Sequence, residues 1–292
     1  MRVPVLIEGE IGDSFDRLSP RDKRQVLSQL RDSILCESLK SFKEFSATAV
    51  SSETKAAFQD LKDYICWVKL SEKPKPAPVA TLAGDLLESI FSEPLLQTIQ
   101  RAKDPLRSEE PRDKGFARKF EPLFAYATRI ELVDKWAATD LMKGNEGARW
   151  FTSKFLKLGQ GTLSLISEEP SREGNFLMPL EDRRQLVVKR LSAMLKEEHG
   201  FRGSVRMTLV PQGFLQHNRR IAFRFDSGQA TSVVEHGLST FDRDPFVEAH
   251  EFPNADLIEF KKLVARVSGI STEKKFEFAL KHSDTCTDCS TG

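Results

Sequence analysis

The sequence contains no long apolar run. No stretch approaches the roughly 20 apolar residues that a membrane-spanning helix needs. The amino terminus, MRVPVLIEGEIGD, has no apolar core after Arg2 and does not resemble a secretory signal. We therefore expect a soluble, cytoplasmic protein with no transmembrane segment.

Net charge and cysteine are also scarce. The 44 Lys and Arg residues nearly balance the 43 Asp and Glu residues, which leaves a net charge of +1. Any binding of an anion must therefore come from a local cluster, since no overall field draws the chain to nucleic acid or to an anionic membrane.

Cys36 and Cys66 lie in apolar segments typical of buried thiols. Cys286 and Cys289 form a CxxC motif without a second metal-binding motif, which we interpret as part of a solvated tail of undetermined role.

The signature motifs of several enzyme classes are missing. The sequence has no GxxxxGK, GxGxxG, HExxH or GxSxG pattern. His236 and His250 flank an acidic segment that includes Asp242, Asp244 and Glu248. The segment does not place two ligands at i, i+4 on a helix, as a helical metal site does, so no metal and no cofactor is predicted.

The pattern of the chain changes near residue 115. Before it, Ser19, Pro20 and Asp22 form a helix-start signal, and apolar residues at helical spacing follow from Val26 to Phe42, which predicts one helix there. After it, β-branched runs alternate with amphipathic helices, which is typical of α/β proteins. We predict a mostly helical amino-terminal region over 1–115, a mixed-sheet α/β domain over 116–280 and a polar tail over 281–292.

Individual elements of the second region are also predicted. Strands are expected over 128–134, 162–168, 204–210, 219–225 and 230–238, and helices over 116–127, 144–158, 179–198 and 254–267. A hairpin turn is predicted at Asp226-Ser227-Gly228.

The candidate site lies just past the first and third of these strands, where open α/β sheets place ligands. Asp134 and Lys135 follow the first strand, and the segment after the third contains the sequence His217-Asn218-Arg219-Arg220. In an extended segment His217 and Arg219 point to the same side, so an imidazole and a guanidinium can bind one phosphate together.

An alternative interpretation of this segment needs no ligand. His217 is then an ordinary loop histidine, and the arginines pair with the acidic stretch around Asp242, Asp244 and Glu248. Residue spacing alone does not separate the two interpretations.

The stretch HNRRIAFRFDSGQATSVVEHGLSTF resembles a known family. It is similar to the carboxy-terminal, phospholipase D-like domain of microtubule-interacting-and-trafficking (MIT) proteins, whose pattern is His-x-Arg, an apolar strand, a glycine hairpin, a second strand and a Gly-Leu-Asp-x-Phe turn. Here 217–219 and 237–241 occupy those places, with Ser239 at the Asp position. The segment FEPLFAYATRIELVDKW resembles the family's opening helix and first strand, with Asp134 at the strand end.

This resemblance, over 116–267, implies a fold and a function. The implied fold is a mixed sheet flanked by helices, in a homodimer. The implied ligands are phosphorylated groups, such as a phospholipid head group or nucleic acid, or a protein partner docked through the amino-terminal region. His217 and Arg219 are then the central pair, aided by Asp134, Lys135, Asn218 and Arg220.

Two further functions stay open. In the first, a dimeric phosphodiesterase or nuclease uses one His-x-Arg from each subunit, with His217 as the nucleophile. In the second, the chain is a structural subunit of a larger complex. Stand-alone bacterial proteins of this domain type resemble components of conflict or phage-defence systems, so such a role is also expected.

Overall fold

A computed structural model describes most of the chain from residue 104 to residue 281 and short segments before it. The described residues are 5–7, 17–24, 35–36, 51–52, 56, 66–67, 80–82, 104–158, 161–172, 177–198, 201–215, 219–224, 230–234, 237–250 and 257–281. No helix within these ranges is long and apolar enough to cross a membrane.

The chain forms two compact units. The first comprises Met1–Asp104, Phe116–Tyr126 and Phe225–Thr231, and the second comprises Pro105–Gly115, Ala127–Arg224 and Ser232–Gly292. The predicted division of the chain at residue 115 stays a prediction.

The first unit contains two short parallel strand pairs. Strand β1 (Val5–Ile7) pairs with β4 (Ala80–Leu82), and β2 (Leu35–Cys36) pairs with β3 (Cys66–Trp67). Leu35–Cys36 therefore does not continue the predicted helix, because pairing with a distant segment overrides the local helical pattern.

The predicted helix start in this unit is confirmed. Residues 20–24 are helical, and Ser19 Oγ accepts a hydrogen bond from the Asp22 backbone N–H at 3.2 Å. The hydroxyl of Ser19 donates in return to Asp22 Oδ2 at 2.7 Å. Such reciprocal bonds satisfy a donor at the helix start that has no partner within the helix. Most of the other helices predicted before residue 104 lie outside the described residues.

Two helices replace the single helix predicted over 116–127. Helix α1 covers Arg112–Lys119 and α2 covers Glu121–Tyr126. Pro122 stands in the first turn of α2, where a residue without an N–H is tolerated, so the chain restarts there instead of continuing α1. The Phe116 ring packs edge-on against Phe124, with centroids 4.9 Å apart.

The second unit is built on a six-stranded sheet. The elements of this part of the chain, in chain order, are β5 (Arg129–Asp134), α3 (Ala137–Lys143), α4 (Glu146–Leu158), β6 (Thr162–Glu168), α5 (Leu180–Glu197), β7 (Ser204–Val210), β8 (Arg219–Arg224), β9 (Ala230–Val234), a 3-10 helix (Leu238–Phe241), α6 (Leu257–Ser268), a second 3-10 helix (Thr272–Lys274) and β10 (Phe276–Lys281). The strands lie side by side in the order β10-β7-β6-β5-β8-β9.

This arrangement confirms the α/β class and the mixed sheet. Strands β5, β6 and β7 are parallel, whereas β8 runs antiparallel to β5 and β10 antiparallel to β7. The predicted strands appear as β5 to β9, and β6 and β7 have the predicted bounds. Strand β10 is an addition that the sequence analysis did not predict. The hairpin predicted at Asp226-Ser227-Gly228 lies outside the described residues.

Helices cover both faces of the sheet. The crossovers from β5 to β6 and from β6 to β7 step in one direction, and right-handed connections of this kind place α3, α4 and α5 on the same face. On the opposite face, α6 packs Phe260, Leu263 and Val267 against a cluster that includes Val133 of β5 and Ala222 of β8. The strand ends that carry the candidate site are thereby held between two layers of helices.

The Phe260→Ala variant tests the placement of α6. The Phe260 side chain is fully buried, so its truncation should lower the free energy of unfolding by about 3–5 kcal/mol. Urea denaturation measures this loss, and Lys261→Ala, at the exposed neighbouring position, is the control that should change little. Equal stability of the two variants would contradict the orientation of α6.

Candidate functional site

A cleft opens where β5 ends and β8 begins. Its volume is ≈ 330 Å³. We call it the Arg219 cleft, and it is lined by Asp134, Trp136, Thr139, Asp140, Lys143, Arg219 and Ser239. These residues come from the end of β5, helix α3, the start of β8 and the 3-10 turn after β9.

Asp134 forms the floor of the cleft. Its side chain is buried, with the residue 1% exposed. One carboxylate oxygen, Oδ1, accepts the Trp136 backbone N–H at 2.9 Å, and the other, Oδ2, accepts the Leu238 backbone N–H at 2.8 Å. Burial raises the pKa of Asp134, while these two bonds and the charge of Arg219 oppose the rise. The carboxylate therefore joins β5 to the turn that follows β9.

Gly237 fits against this pair because it has no side chain. A Cβ atom at residue 237 would lie 2.7 Å from Arg219 Cδ and 2.8 Å from Asp134 Oδ2. The backbone of Gly237 is extended, with φ of −88°, a conformation that any residue can adopt. Glycine is needed here because there is no room for a side chain. The chain thus passes directly over the strand end at this point.

Arg219 is the cation closest to Asp134 in the sheet pairing. The two residues are direct partners across the β5–β8 ladder, so their side chains project from the same face. Within the part of the chain that the structure describes, the Arg219 guanidinium makes no ion pair.

The acidic stretch that the sequence offered as a partner for the arginines is engaged elsewhere. Asp242 Oδ1 accepts the Gly147 backbone N–H at 2.9 Å, and Asp244 Oδ1 accepts the Arg112 backbone N–H at 2.9 Å. Among the described residues no ion pair joins Arg219 to this stretch, and for Arg220 the interpretation stays a prediction.

Asp140 belongs to the cleft although the sequence analysis did not select it. Burial, together with the negative charges of Asp134 and Asp242, raises its pKa from an ordinary 3.8 to about 6. Asn145 Nδ2 donates to Asp140 Oδ1 at 2.8 Å, and this bond and Lys143 oppose the rise. The carboxyl group of Asp140 therefore changes charge close to neutral pH.

A second cleft lies on the other side of Trp136, at the ends of β6 and β7. Its volume is ≈ 450 Å³. We call it the Gln212 cleft, and it is lined by Lys135, Trp136, Glu168, Glu169, Ser171, Arg172, Gln212 and Gly213. Glu168 Oε1 accepts the Leu215 backbone N–H at 2.8 Å, and Arg184 forms a bidentate ion pair with Glu169.

The predicted site residues are divided between these places. Asp134 and Arg219 meet in the Arg219 cleft, whereas Lys135 lines the Gln212 cleft, with its Nζ 3.9 Å from Glu168 Oε2. Arg220 follows Arg219 in β8, so its side chain projects from the opposite face of the sheet. His217 and Asn218 lie outside the described residues, and their roles stay predictions.

Metal binding has no support in the described ranges. No group of three or more His, Cys, Asp or Glu side chains within them is placed to bind a metal ion. His236 and the CxxC residues Cys286 and Cys289 fall outside those ranges.

Comparisons with protein-family models, with curated proteins and with solved structures found no significant match for this chain. The resemblance to the phospholipase D-like domain consequently stays a prediction.

The Asp134→Ala variant tests the role of its carboxylate as a structural link. It leaves two backbone N–H groups without their acceptor, and each buried unpaired group costs about 1–3 kcal/mol. We expect the free energy of unfolding to fall by at least about 2 kcal/mol in urea denaturation. Glu197→Ala, at an exposed position in α5, is the control, and a loss no larger than that of the control would contradict the role.

The Asp140→Asn variant tests the raised pKa. At pH values between the ordinary pKa of 3.8 and the raised pKa of about 6, Asp140 is protonated in the folded chain and ionised in the unfolded chain. The contribution of Asp140 to the free energy of unfolding therefore falls as the pH rises through this range. The asparagine keeps an acceptor for Asn145 and cannot ionise. The variant should therefore gain stability over the wild type on going from about pH 4 to about pH 8. A pH-independent difference between the two proteins would show an ordinary pKa.

Proposed function

We propose that this chain binds a phosphate-bearing ligand in the Arg219 cleft. The proposal rests on the hydrogen bonds and ion pairs of two side chains, Asp134 and Arg219, which face each other across the pairing of β5 with β8. The Asp134 carboxylate is committed to two backbone N–H groups, and Arg219 has no ion-pair partner among the described residues. A planar guanidinium in this state can bind two phosphate oxygens at once.

Other groups in the cleft suit an anion. Lys143 supplies a second positive charge, and the Ser239 hydroxyl is a neutral group that can donate a hydrogen bond. Ser239 stands where the family pattern has an aspartate, and a hydroxyl there removes a negative charge that would repel a phosphate. The raised pKa of Asp140 acts in the same direction below about pH 6, where its carboxyl group is protonated and neutral.

We also propose that the region predicted over 116–280 is a phospholipase D-like domain of the type found in MIT proteins. The mixed sheet flanked by helices supports this, as does the 3-10 turn Leu238–Phe241, which occupies the place of the family's turn and touches the end of β5. Four further expectations stay predictions: homodimerisation, a cytoplasmic location, a protein partner for the amino-terminal region and a role in bacterial defence.

The competing functions from the sequence rest on other parts of the chain. A dimeric phosphodiesterase or nuclease needs His217 as its nucleophile, and His217 lies outside the described residues. A purely structural subunit needs no ligand. Phosphate binding is the proposal that the described geometry supports best.

The Arg219→Ala variant tests phosphate binding. Isothermal titration calorimetry with ribose 5-phosphate should detect binding to the wild-type chain. Loss of hydrogen bonds between charged groups should weaken it about 10- to 150-fold in the variant. If the predicted His-x-Arg pair binds the phosphate together, His217→Ala should weaken binding as well.

Arg202→Ala is the matched control for this experiment. Arg202 is an exposed arginine that precedes β7, at the edge of the sheet opposite to the cleft, so its loss should leave the affinity unchanged. Equal weakening by both arginine variants would indicate unspecific attraction of an anion. Absence of binding to the folded wild-type chain would refute the proposed function.

A further inference from the structure

Trp136 separates the two clefts and lines both of them. Its backbone N–H is held by Asp134 Oδ1 at 2.9 Å, directly after the end of β5, and its side chain is half-buried. The indole ring is thus an aromatic surface positioned by the sheet. It lies beside Arg219 on one side and beside Gln212 on the other.

The two clefts differ in what they can bind. In the Gln212 cleft, the carboxylate of Glu169 is paired with Arg184, and that of Glu168 accepts a backbone N–H and lies near Lys135. The amide of Gln212 and the hydroxyl of Ser171 add neutral hydrogen-bonding groups. Neutral donors and acceptors beside an aromatic ring suit a flat heterocycle better than they suit a phosphate.

The face of the Trp136 ring is now used by a weakly held cation. Lys135 Nζ lies 5.1 Å from the ring centroid and 3.9 Å from Glu168 Oε2. The ammonium group has the Glu168 carboxylate as a second partner, and the face of an aromatic side chain also stacks favourably on a nucleic-acid base. A base can therefore displace the ammonium group, which keeps Glu168 as its partner.

The two clefts also lie within reach of one small molecule. Arg219 opens β8, directly beside the end of β5, and Glu168 closes β6 on the other side of β5. Neighbouring strands are about 4.8 Å apart, so β8 and β6, which flank β5, are separated by about 10 Å.

We propose that the phosphate-bearing ligand is a nucleoside phosphate, with its phosphate at Arg219 and its base stacked on Trp136 toward Gln212. This inference rests on the proposed function and adds the identity of the group attached to the phosphate. A free mononucleotide and the 5′-phosphorylated end of a single-stranded nucleic acid both present this chemistry.

The test compares ligands that share one phosphate but differ in the base. Adenosine 5′-monophosphate, ribose 5-phosphate and a short 5′-phosphorylated single-stranded DNA are titrated into the full chain by calorimetry. Adenosine 5′-monophosphate should bind roughly 5- to 150-fold more tightly than ribose 5-phosphate, the factor that stacking of one base provides. A further gain with the oligonucleotide would identify a nucleic-acid end as the source, and no further gain would identify a free nucleotide.

Two variants of Trp136 assign this gain to its ring. Trp136→Ala should remove the advantage of adenosine 5′-monophosphate over ribose 5-phosphate, measured as the ratio of their affinities for the same variant, and Trp136→Phe should keep most of that advantage. Circular dichroism verifies that both variants fold. If Trp136→Ala does not fold, the Trp136→Phe variant still tests the inference. A Phe variant that behaves like the wild type, beside an Ala variant with no preference for the base, is the expected pattern.

The outcomes separate the two proposals. Equal affinities of the wild-type chain for adenosine 5′-monophosphate and ribose 5-phosphate would overturn the nucleoside inference and leave phosphate binding intact. An advantage of the nucleotide that survives in Trp136→Ala would overturn it too, because the base would then lie elsewhere. If none of the three ligands binds, the proposed function fails and the inference fails with it.

Discussion

The second unit depends on one buried carboxylate. Asp134 ends the central strand β5, and its two oxygens hold backbone N–H groups from two different segments, the one that starts α3 and the one that follows β9. Burying a carboxylate is unfavourable, which is why the pKa of Asp134 is raised, and hydrogen bonds to the charged form recover part of that loss. The positions of Trp136, Gly237 and the 3-10 turn all follow from these two bonds.

The same two bonds decide the electrostatics of the Arg219 cleft. Asp134 and Arg219 face each other across the sheet, and in most proteins such a pair would form an ion pair. Here the carboxylate oxygens already accept backbone N–H groups at 2.8 and 2.9 Å, and the Arg219 guanidinium takes no ion-pair partner among the described residues. Asp140 and Asp242 add negative charge nearby, and burial of Asp140 favours its neutral form. Within the described part of the chain, the Arg219 guanidinium therefore lines the cleft without an ion pair and interacts with Asp134 through charge alone.

Much of the sheet could be predicted from the sequence because its strands are local patterns. TLSLISE and SVRMTLV are short β-branched runs between turn signals, and they form β6 and β7 within the predicted bounds. The sequence FEFALK also alternates apolar and polar residues, and this signal could have identified β10. The strand Leu35–Cys36 carries no such signal, since its residues also fit a helical pattern, and only its pairing with Cys66–Trp67 fixes its structure.

The site was less predictable, because it depends on register and not on local pattern. Asp134 and Arg219 are 85 positions apart in the sequence and are brought together by the antiparallel pairing of β5 with β8. If the register of this pairing shifted by one residue, Arg219 would project from the other face of the sheet and Arg220 would take its place beside Asp134. Asp140 could be identified only once α3 was known to begin directly after β5, since its altered pKa arises from the carboxylates that the fold places near it.

The location of both clefts follows from the strand order. Strand β5 has a parallel neighbour, β6, on one side and an antiparallel neighbour, β8, on the other. The chain leaving β5 turns toward α3, on the way to β6, while the chain entering β8 comes from the C-terminal end of β7, which lies at the same end of the sheet. Open α/β sheets place ligands outside the carboxyl ends of their strands, and both clefts lie at that end. Trp136, the second residue after β5, stands at this end, which is why one aromatic ring lines a cleft on each side.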